Sequence, residues 1–535
     1  MDRDSAADGT VEETAEREAP ASDLPDALWI VPVVLVTMIA GLLTQITRGI
    51  HSASLGIALL GTAMVAVIAT TLAVVLYFAV FRRNLRRSLA VAAALVFVCF
   101  TWIYWTTIGA AIAEPIGVAA VGDVATVLIP VAIVWIAARF GERDRFAIVA
   151  TGLAFAIVLI MAFVVAPKVG RAPSPPVAVV DGAAHPNTVL LILDGYARED
   201  VLVNDYNPGG LSLADALERR GFVVRDDAVT NYSITYASLS SMVAMDYPFD
   251  EGMRTEDEVV EMRALLAGVN PFVGGYREAG YTIVKSENGW AGSACGSWID
   301  ECYQTGIVRT SLWAVGQLTP FAPIQRSFFG HPFTSVGLQQ IRELPDRLDA
   351  DGSSPRLILA HMTVPHAPAQ LDASCKINPQ GVGAGLHLVN PGDSDAMVDE
   401  ARARYVGQIE CVDREVLASI DSLLEQDPDL AILVVADHGP DSRGQLGLNH
   451  DEWTDDALIE RMSVLSAIRV PEWCDQDGPA LTTVNTMRKL AACSLGTEFD
   501  ALPDRSYWAP RENIDNLPVV EISDRIRSIS ALSGR

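Results

Sequence analysis

Positive charge is what this chain has least of: its 39 lysines and arginines face 66 acids, a formal net of −27 over 535 residues. A surface that acidic repels phosphate backbones, which argues against nucleic acid as a partner. Cysteine is also sparse, with seven residues and no CxxC pair, so zinc-finger spacing is missing. No short cationic segment opens the chain. Residues 1–26 instead hold nine acids and two arginines, a pattern that argues against a cleaved signal peptide and suits an acidic cytoplasmic tail.

Half of the residues are hydrophobic, and they are concentrated in residues 27–166, where four acids face eight arginines. Five stretches there are long enough to cross roughly 30 Å of hydrocarbon at about 1.5 Å per residue: 27–47, 55–81, 88–112, 117–138 and 146–166. Arg82, Arg83, Arg86 and Arg87 follow the second stretch, and Arg139, Arg143 and Arg145 follow the fourth. Both loops should therefore be cytoplasmic. The expectation is a multi-pass cell-membrane protein with five transmembrane helices, its N-terminus inside and its C-terminal part outside. Trp102, Tyr104 and Trp105 then fall near the outer interface, and Asp123 lies close enough to an outer end to reach headgroup water.

Six cysteines, Cys295, Cys302, Cys375, Cys411, Cys474 and Cys493, lie in the part expected outside. An even number in an oxidising compartment suggests disulfides, with fifteen connectivities open. Sequence proximity favours Cys295 with Cys302 and Cys474 with Cys493, leaving Cys375 with Cys411. Residues 167–186 contain five prolines and read as a stiff linker. From 187 to 535, short apolar runs alternate with amphipathic segments: TVLLILD, LADALERRG, YTIVKS, RLILAHM, REVLASIDSLLEQ and LAILVVADHG. That alternation predicts an α/β extracytoplasmic domain with a central, mostly parallel sheet. Such sheets bind ligands at the carboxyl ends of their strands.

Two of those ends carry acids. Asp194 closes the first run, with Gly195 permitting a sharp exit, and Asp437 with His438 closes a later one. Buried charge is costly unless it is paired or bound to a cation, so two such ends point to a metal site. Carboxylate oxygen with imidazole nitrogen suits one divalent zinc or manganese ion better than calcium. In DDAVTNYSITYASLSSMVAMDYP the pattern turns helical at Thr235. An anion is favoured at a helix N-terminus, and a hydroxyl there beside a divalent metal can attack phosphorus. The alternative is that Ser233, Thr235 and Ser238 only cap the helix.

The order DGYAR, NYxxTxxSLxS, HMxxPHAP, DHG resembles the extracytoplasmic domain of the alkaline-phosphatase and sulfatase superfamily. It is most similar to membrane-anchored branches such as lipoteichoic acid synthases and phosphoethanolamine transferases. The resemblance implies that Asp194, Asp437 and His438 bind the metal, with Thr235 as nucleophile and fourth ligand, and that His366 faces the substrate. His361 ends the preceding strand and fits either a substrate role or a core histidine. His450 lies where phosphoethanolamine transferases place a further active-site histidine. Lys285 and Arg198, each read as near a strand end, are candidates for phosphate neutralisation. Sulfatases need a CxPSR motif, and Thr235 in TYASL holds that place. The implied activity is metal-dependent phosphoryl transfer or phosphodiester hydrolysis on membrane lipid head groups or cell-envelope glycopolymers. A non-catalytic envelope-binding domain and a sulfuric-ester hydrolase are the alternatives.

Overall fold

The computed structural model describes residues 30–47, 55–165 apart from 114, 116 and 117, and 185–533 apart from 207–211, 250–251, 254–255, 349–351, 353, 379–380, 382–387, 391, 476 and 510–517. The acidic tail 1–26 lies outside these residues, as does the proline-rich linker up to residue 184. The described residues divide into two compact units, one drawn from 1–40 and 63–161, the other from 41–62 and 162–535.

The apolar stretches are helical: α1 Val31–Thr47, α2 Leu55–Val75 continued by a π turn to Val80, α3 Leu85–Phe100, α4 Trp102–Ala113, α5 Ala119–Phe140 and α6 Asp144–Val165. Among the described residues, Thr62–Val80 and Ala120–Phe140 are long and apolar enough to cross a membrane, and α3 with α4 makes a third if the pair crosses as one. The stretch 88–112, expected as one helix, is thus two, bent by 68°. Thr101 sits at the break. Its hydroxyl donates to Phe97 O at 2.5 Å and accepts from Trp105 Nε1 at 2.9 Å, side-chain bonds that hold the bend.

The second unit is built on ten strands: β1 Thr188–Leu193, β2 Val223–Val224, β3 Gly252–Met253, β4 Thr282–Glu287, β5 Glu301–Gln304, β6 Arg356–Met362, β7 Ala431–Val435, β8 Ser466–Arg469, β9 Tyr507–Trp508 and β10 Pro518–Glu521. Seven form one sheet in the order β2-β8-β7-β1-β6-β4-β5. The five from β7 to β5 are parallel, and β8 and β2 add an antiparallel edge. β1, β6 and β7 are buried along their whole length, as parallel strands covered on both faces must be. Their side chains alternate between two cores. Leu191, Ala360 and Val434 pack toward the helix Asp395–Gln426 through Tyr405, Val412 and Ile420. Leu190, Leu359 and Leu433 pack toward Leu239, Met487 and Leu490 of the helices Thr235–Ala244 and Thr483–Leu495. Three disulfides close local loops: Cys295–Cys302, Cys375–Cys411 and Cys474–Cys493.

Candidate active site

The sheet register decides which side chains meet. Ile192 of β1 pairs with His361 of β6 and with Val435 of β7. Asp194, His361 and Asp437 therefore emerge at the same carboxyl end of three adjacent parallel strands, where α/β sheets bind ligands. The chain then turns away sharply. Gly195 has φ +74°, and a Cβ there would stand 3.4 Å from the His366 backbone. Gly439 approaches more closely still, since a Cβ would meet Glu460 O at 1.9 Å, so no other residue fits behind His438.

Backbone donors fix the second carboxylate: Asp437 Oδ1 accepts from Gly195 N at 3.1 Å and from His438 N at 3.0 Å. The Asp437 carbonyl accepts from Thr230 Oγ1 at 2.5 Å and Ser238 Oγ at 2.7 Å. His438 Nδ1 lies 2.9 Å from Gly439 O, which requires that nitrogen to carry the proton and leaves Nε2 as a lone-pair donor. Nε2 is 2.8 Å from Thr235 Oγ1, 3.3 Å from Asp437 Oδ2 and 3.6 Å from Asp194 Oδ1. Thr235 is the first residue of its helix. The cap position belongs to Ile234, and no side chain caps it. Ser233 and Ser238 bond to Ala509 O and Asp437 O, so none of the three hydroxyls serves as the N-cap.

Asp194 Oδ1, Asp437 Oδ2 and both ring nitrogens of His361 are buried without a hydrogen-bond partner, although His361 Nε2 stands 3.4 Å from Asp194 Oδ2. Orphaned buried acceptors concentrated in one place suit a cation. Among the described residues, two ligand sets with donor atoms within 4.8 Å of one another share Asp194: one with His366 and His438, the other with His361 and Asp437. A third grouping contains Cys295 and Cys302, whose sulfurs are joined in a disulfide. Electrostatics agree. Burial would raise the Asp194 carboxyl, but His366, His361 and His438 outweigh it and hold the group below the usual carboxylate range. Burial, then the charge of Asp194, pushes Asp437 up. Burial and the charge of Arg461 push His438 well down, toward the neutral imidazole a metal requires.

A cavity of about 250 Å³ opens on this cluster, lined by Asp194, Thr235, His366, Trp290, Phe333 and Arg461 among others. His366 Nδ1 lies 2.6 Å from Ala367 O, and its ring centroid is 6.0 Å from that of His438. The His361 ring lies 5.0 Å from that of Trp290, tilted by 55°, and Trp290 lies 4.8 Å from Tyr236, tilted by 43°.

Lys285, Arg198 and His450, also expected at the site, belong neither to the ligand sets nor to the cavity lining. Lys285 lies inside β4 rather than at its end, and its ammonium is held by the carbonyls of Leu266 and Ala294. Arg198 bonds Asp200 with two nitrogens and Ala228 O with a third. The His450 ring rests 5.7 Å from Trp508. The cation at the cavity is Arg461, which donates to Ser233 O and to Gly439 O, both at 2.7 Å. It thereby ties the loop before Thr235 to the loop after His438. Its acceptors are backbone carbonyls, which leave no side-chain pattern in the sequence, and its only signal is an arginine on an otherwise apolar helix face.

A sulfatase family profile matches residues 186–460, just over half of the chain. The chain belongs to the sulfatase family. Among solved structures, the sulfatase-family chain is similar to the C-terminal periplasmic domain of EcEptC from Escherichia coli in complex with Zn, at 13% identity over 65% of this chain and 96% of that one, with a TM-score of 0.41. It is also similar to a phosphonate monoester hydrolase of Agrobacterium radiobacter, at 13% identity over 64% of this chain and 82% of that one, TM-score 0.39. A 2-O GAG sulfatase aligns at 13% identity over 61% and 78% of the two chains, TM-score 0.39. No curated protein matches the chain.

Proposed function

We propose that this sulfatase-family protein is a metal-dependent phosphoryl-group transferase or phosphodiester hydrolase acting on lipid head groups or cell-envelope glycopolymers, with Thr235 as nucleophile. The observation that carries this reading is the Thr235 hydroxyl 2.8 Å from His438 Nε2, at a helix start and beside two orphaned carboxylate oxygens. Asp194, Asp437 and His438 would hold one zinc or manganese ion, with Thr235 as the fourth donor. When bound, that ion supplies positive charge that favours the threonine alkoxide and the phosphate oxygens.

Thr235 Oγ1, its proton released to solvent, forms a bond to phosphorus as the bond to the leaving alkoxide breaks in line. His366 gives the leaving oxygen its proton. An acceptor hydroxyl or water, its proton passing to the now neutral His366, then forms a bond to phosphorus as the bond to Thr235 Oγ1 breaks, and Thr235 recovers its proton from solvent. Arg461 offsets charge on the non-bridging oxygens. A threonine, rather than the cysteine that sulfatases modify, stands at this position, which favours phosphorus over sulfate esters.

The setting supports an envelope substrate. Three disulfides in the domain suit an oxidising compartment. Arginine placement suits five membrane spans within 27–166, an inside N-terminus and an outside domain 187–535. The test is Thr235→Ala assayed on an activated phosphodiester. Turnover should fall at least about a thousandfold, ~4 kcal/mol of barrier at 1.36 kcal/mol per decade. Turnover within about threefold of wild type would assign another nucleophile, and a wild-type protein that turns over no phosphodiester would leave the site as an envelope-binding domain.

A further inference from the structure

Between β5 and β6 the chain makes a helical hairpin, Ile307–Gln317 followed by Ala322–Phe329. The helices are tied by Gln317 Nε2 donating to Gln325 Oε1 at 2.7 Å. One face of each packs inward through Thr310, Ala314 and Ala322. The other faces carry Val308 and Leu312, and Phe321, Ile324, Phe328 and Phe329, all exposed. Their spacings, i to i+4 on the first helix and i, i+3, i+7 on the second, make apolar stripes rather than scattered side chains. Phe328 and Phe329 are 76% and 81% exposed, an arrangement a soluble surface does not sustain without a partner.

Charge identifies the partner. Residues 302–342 contain no aspartate or glutamate and three arginines, in a chain whose acids outnumber its bases by 27. Arg309 and Arg326 are exposed, and they bond the neutral side chains of Ser335 and Gln317. Phenylalanine, isoleucine and leucine on one side with arginine beside them and no acid is the composition of a helix lying in the boundary of an anionic bilayer. A second copy meeting this face through a two-fold axis would set the arginines against their own kind. The hairpin also leads directly to the site. Trp313 Nε1 donates to Gly330 O at 3.1 Å, and Phe333, four residues beyond Phe329, lines the catalytic cavity.

We infer that the hairpin 307–329 docks into the headgroup layer of an anionic membrane and holds the mouth of the cavity at that surface. The docking rests on exposure and charge; the use made of it, presentation of lipid head groups to Thr235, rests on the function proposed above.

The test uses the full chain in nanodiscs of phosphatidylethanolamine and phosphatidylglycerol. In a Cys99→Ala background, a nitroxide at Phe328→Cys should be more accessible to oxygen than to a water-soluble nickel chelate, and one at Glu425→Cys should show the reverse. Equal chelate access at both positions would overturn the inference. So would a Phe328→Cys label shielded from both reagents, which would mean that protein covers the face. In parallel, Phe328→Glu with Phe329→Glu should lower turnover of a bilayer-embedded phosphodiester at least tenfold and leave a soluble activated phosphodiester within about twofold. Equal loss on both substrates, or on neither, would contradict presentation. A wild-type protein that turns over neither substrate contradicts the phosphotransfer reading, and the depth measurement still decides the docking.

Discussion

Two groups of buried polar side chains in the domain 187–535 are satisfied very differently. Around β4, Lys285 is enclosed, with two carbonyls receiving its ammonium, and the nearby Asn288 has its side-chain amide on His361 O and its side-chain carbonyl on Trp290 N. At the carboxyl ends of β1, β6 and β7 the burial is as deep, yet Asp194 Oδ1, Asp437 Oδ2 and the His361 ring nitrogens have no partner. Folding satisfies the first region by itself, and the second keeps bonding capacity that a cation would use. Unsatisfied bonding capacity, rather than burial or charge, separates a site from a strut here.

The sharpest way to break that contrast is to remove side chains that would hold the cation. Asp437→Ala with His438→Ala should abolish bound metal, measured by elemental analysis of the purified full chain. Turnover should fall by at least about a thousandfold, ~4 kcal/mol. A double variant that keeps its metal would place the cation elsewhere.

A second comparison sets two of the buried cations, Arg461 and Lys285, against each other. Arg461→Met should lower kcat/KM about a hundredfold, ~2.7 kcal/mol, while metal content, a check on the fold, is retained. Lys285→Met should stay within about twofold. The opposite ranking would restore the residue that strand position alone suggested.

The smallest effect concerns pH. Burial pulls the Lys285 ammonium down to about 7, against a weaker upward pull from Glu287. Above that value the folded state has released a proton that the unfolded state keeps up to about 10.4, so this contribution to stability rises with pH through the window. Between pH 7 and 9, the free energy of unfolding of the wild-type domain 187–535 should gain roughly 2 kcal/mol from this group, at most ~1.36 kcal/mol per pH unit. Lys285→Met should remove that slope. Equal slopes in both proteins would show that the two carbonyls keep the ammonium charged.

Much of this was legible in the sequence, and the gaps have physical causes. β1, β4, β6 and β7 coincide with TVLLILD, YTIVKS, RLILAHM and LAILVVADHG because strands buried on both faces are built mainly on apolar runs. Asp194 and Asp437 stood out because they interrupt such runs. The disulfides follow proximity in sequence. The antiparallel edge was not legible, because β2 has two residues and its direction depends on partners far along the chain, Val223 pairing with Ile468 and Val224 with Ala467. Nor was the break at Thr101, since hydropathy does not register a threonine bonding its own helix. Arg461 escaped because it recognises carbonyl groups, and Lys285 was misplaced because a strand's end cannot be told from its middle without the register.

The central claim is that Thr235 becomes covalently bonded to phosphorus. Acid-quenching wild-type protein during turnover of an activated phosphodiester, digesting it and sequencing the peptides by mass spectrometry tests this directly. The account predicts a phosphoryl-containing adduct on Thr235, absent from Thr235→Ala. An adduct on Ser238 or Ser240, or an unmodified Thr235 peptide in a chain that turns over and whose Thr235→Ala variant is equally active, would contradict it.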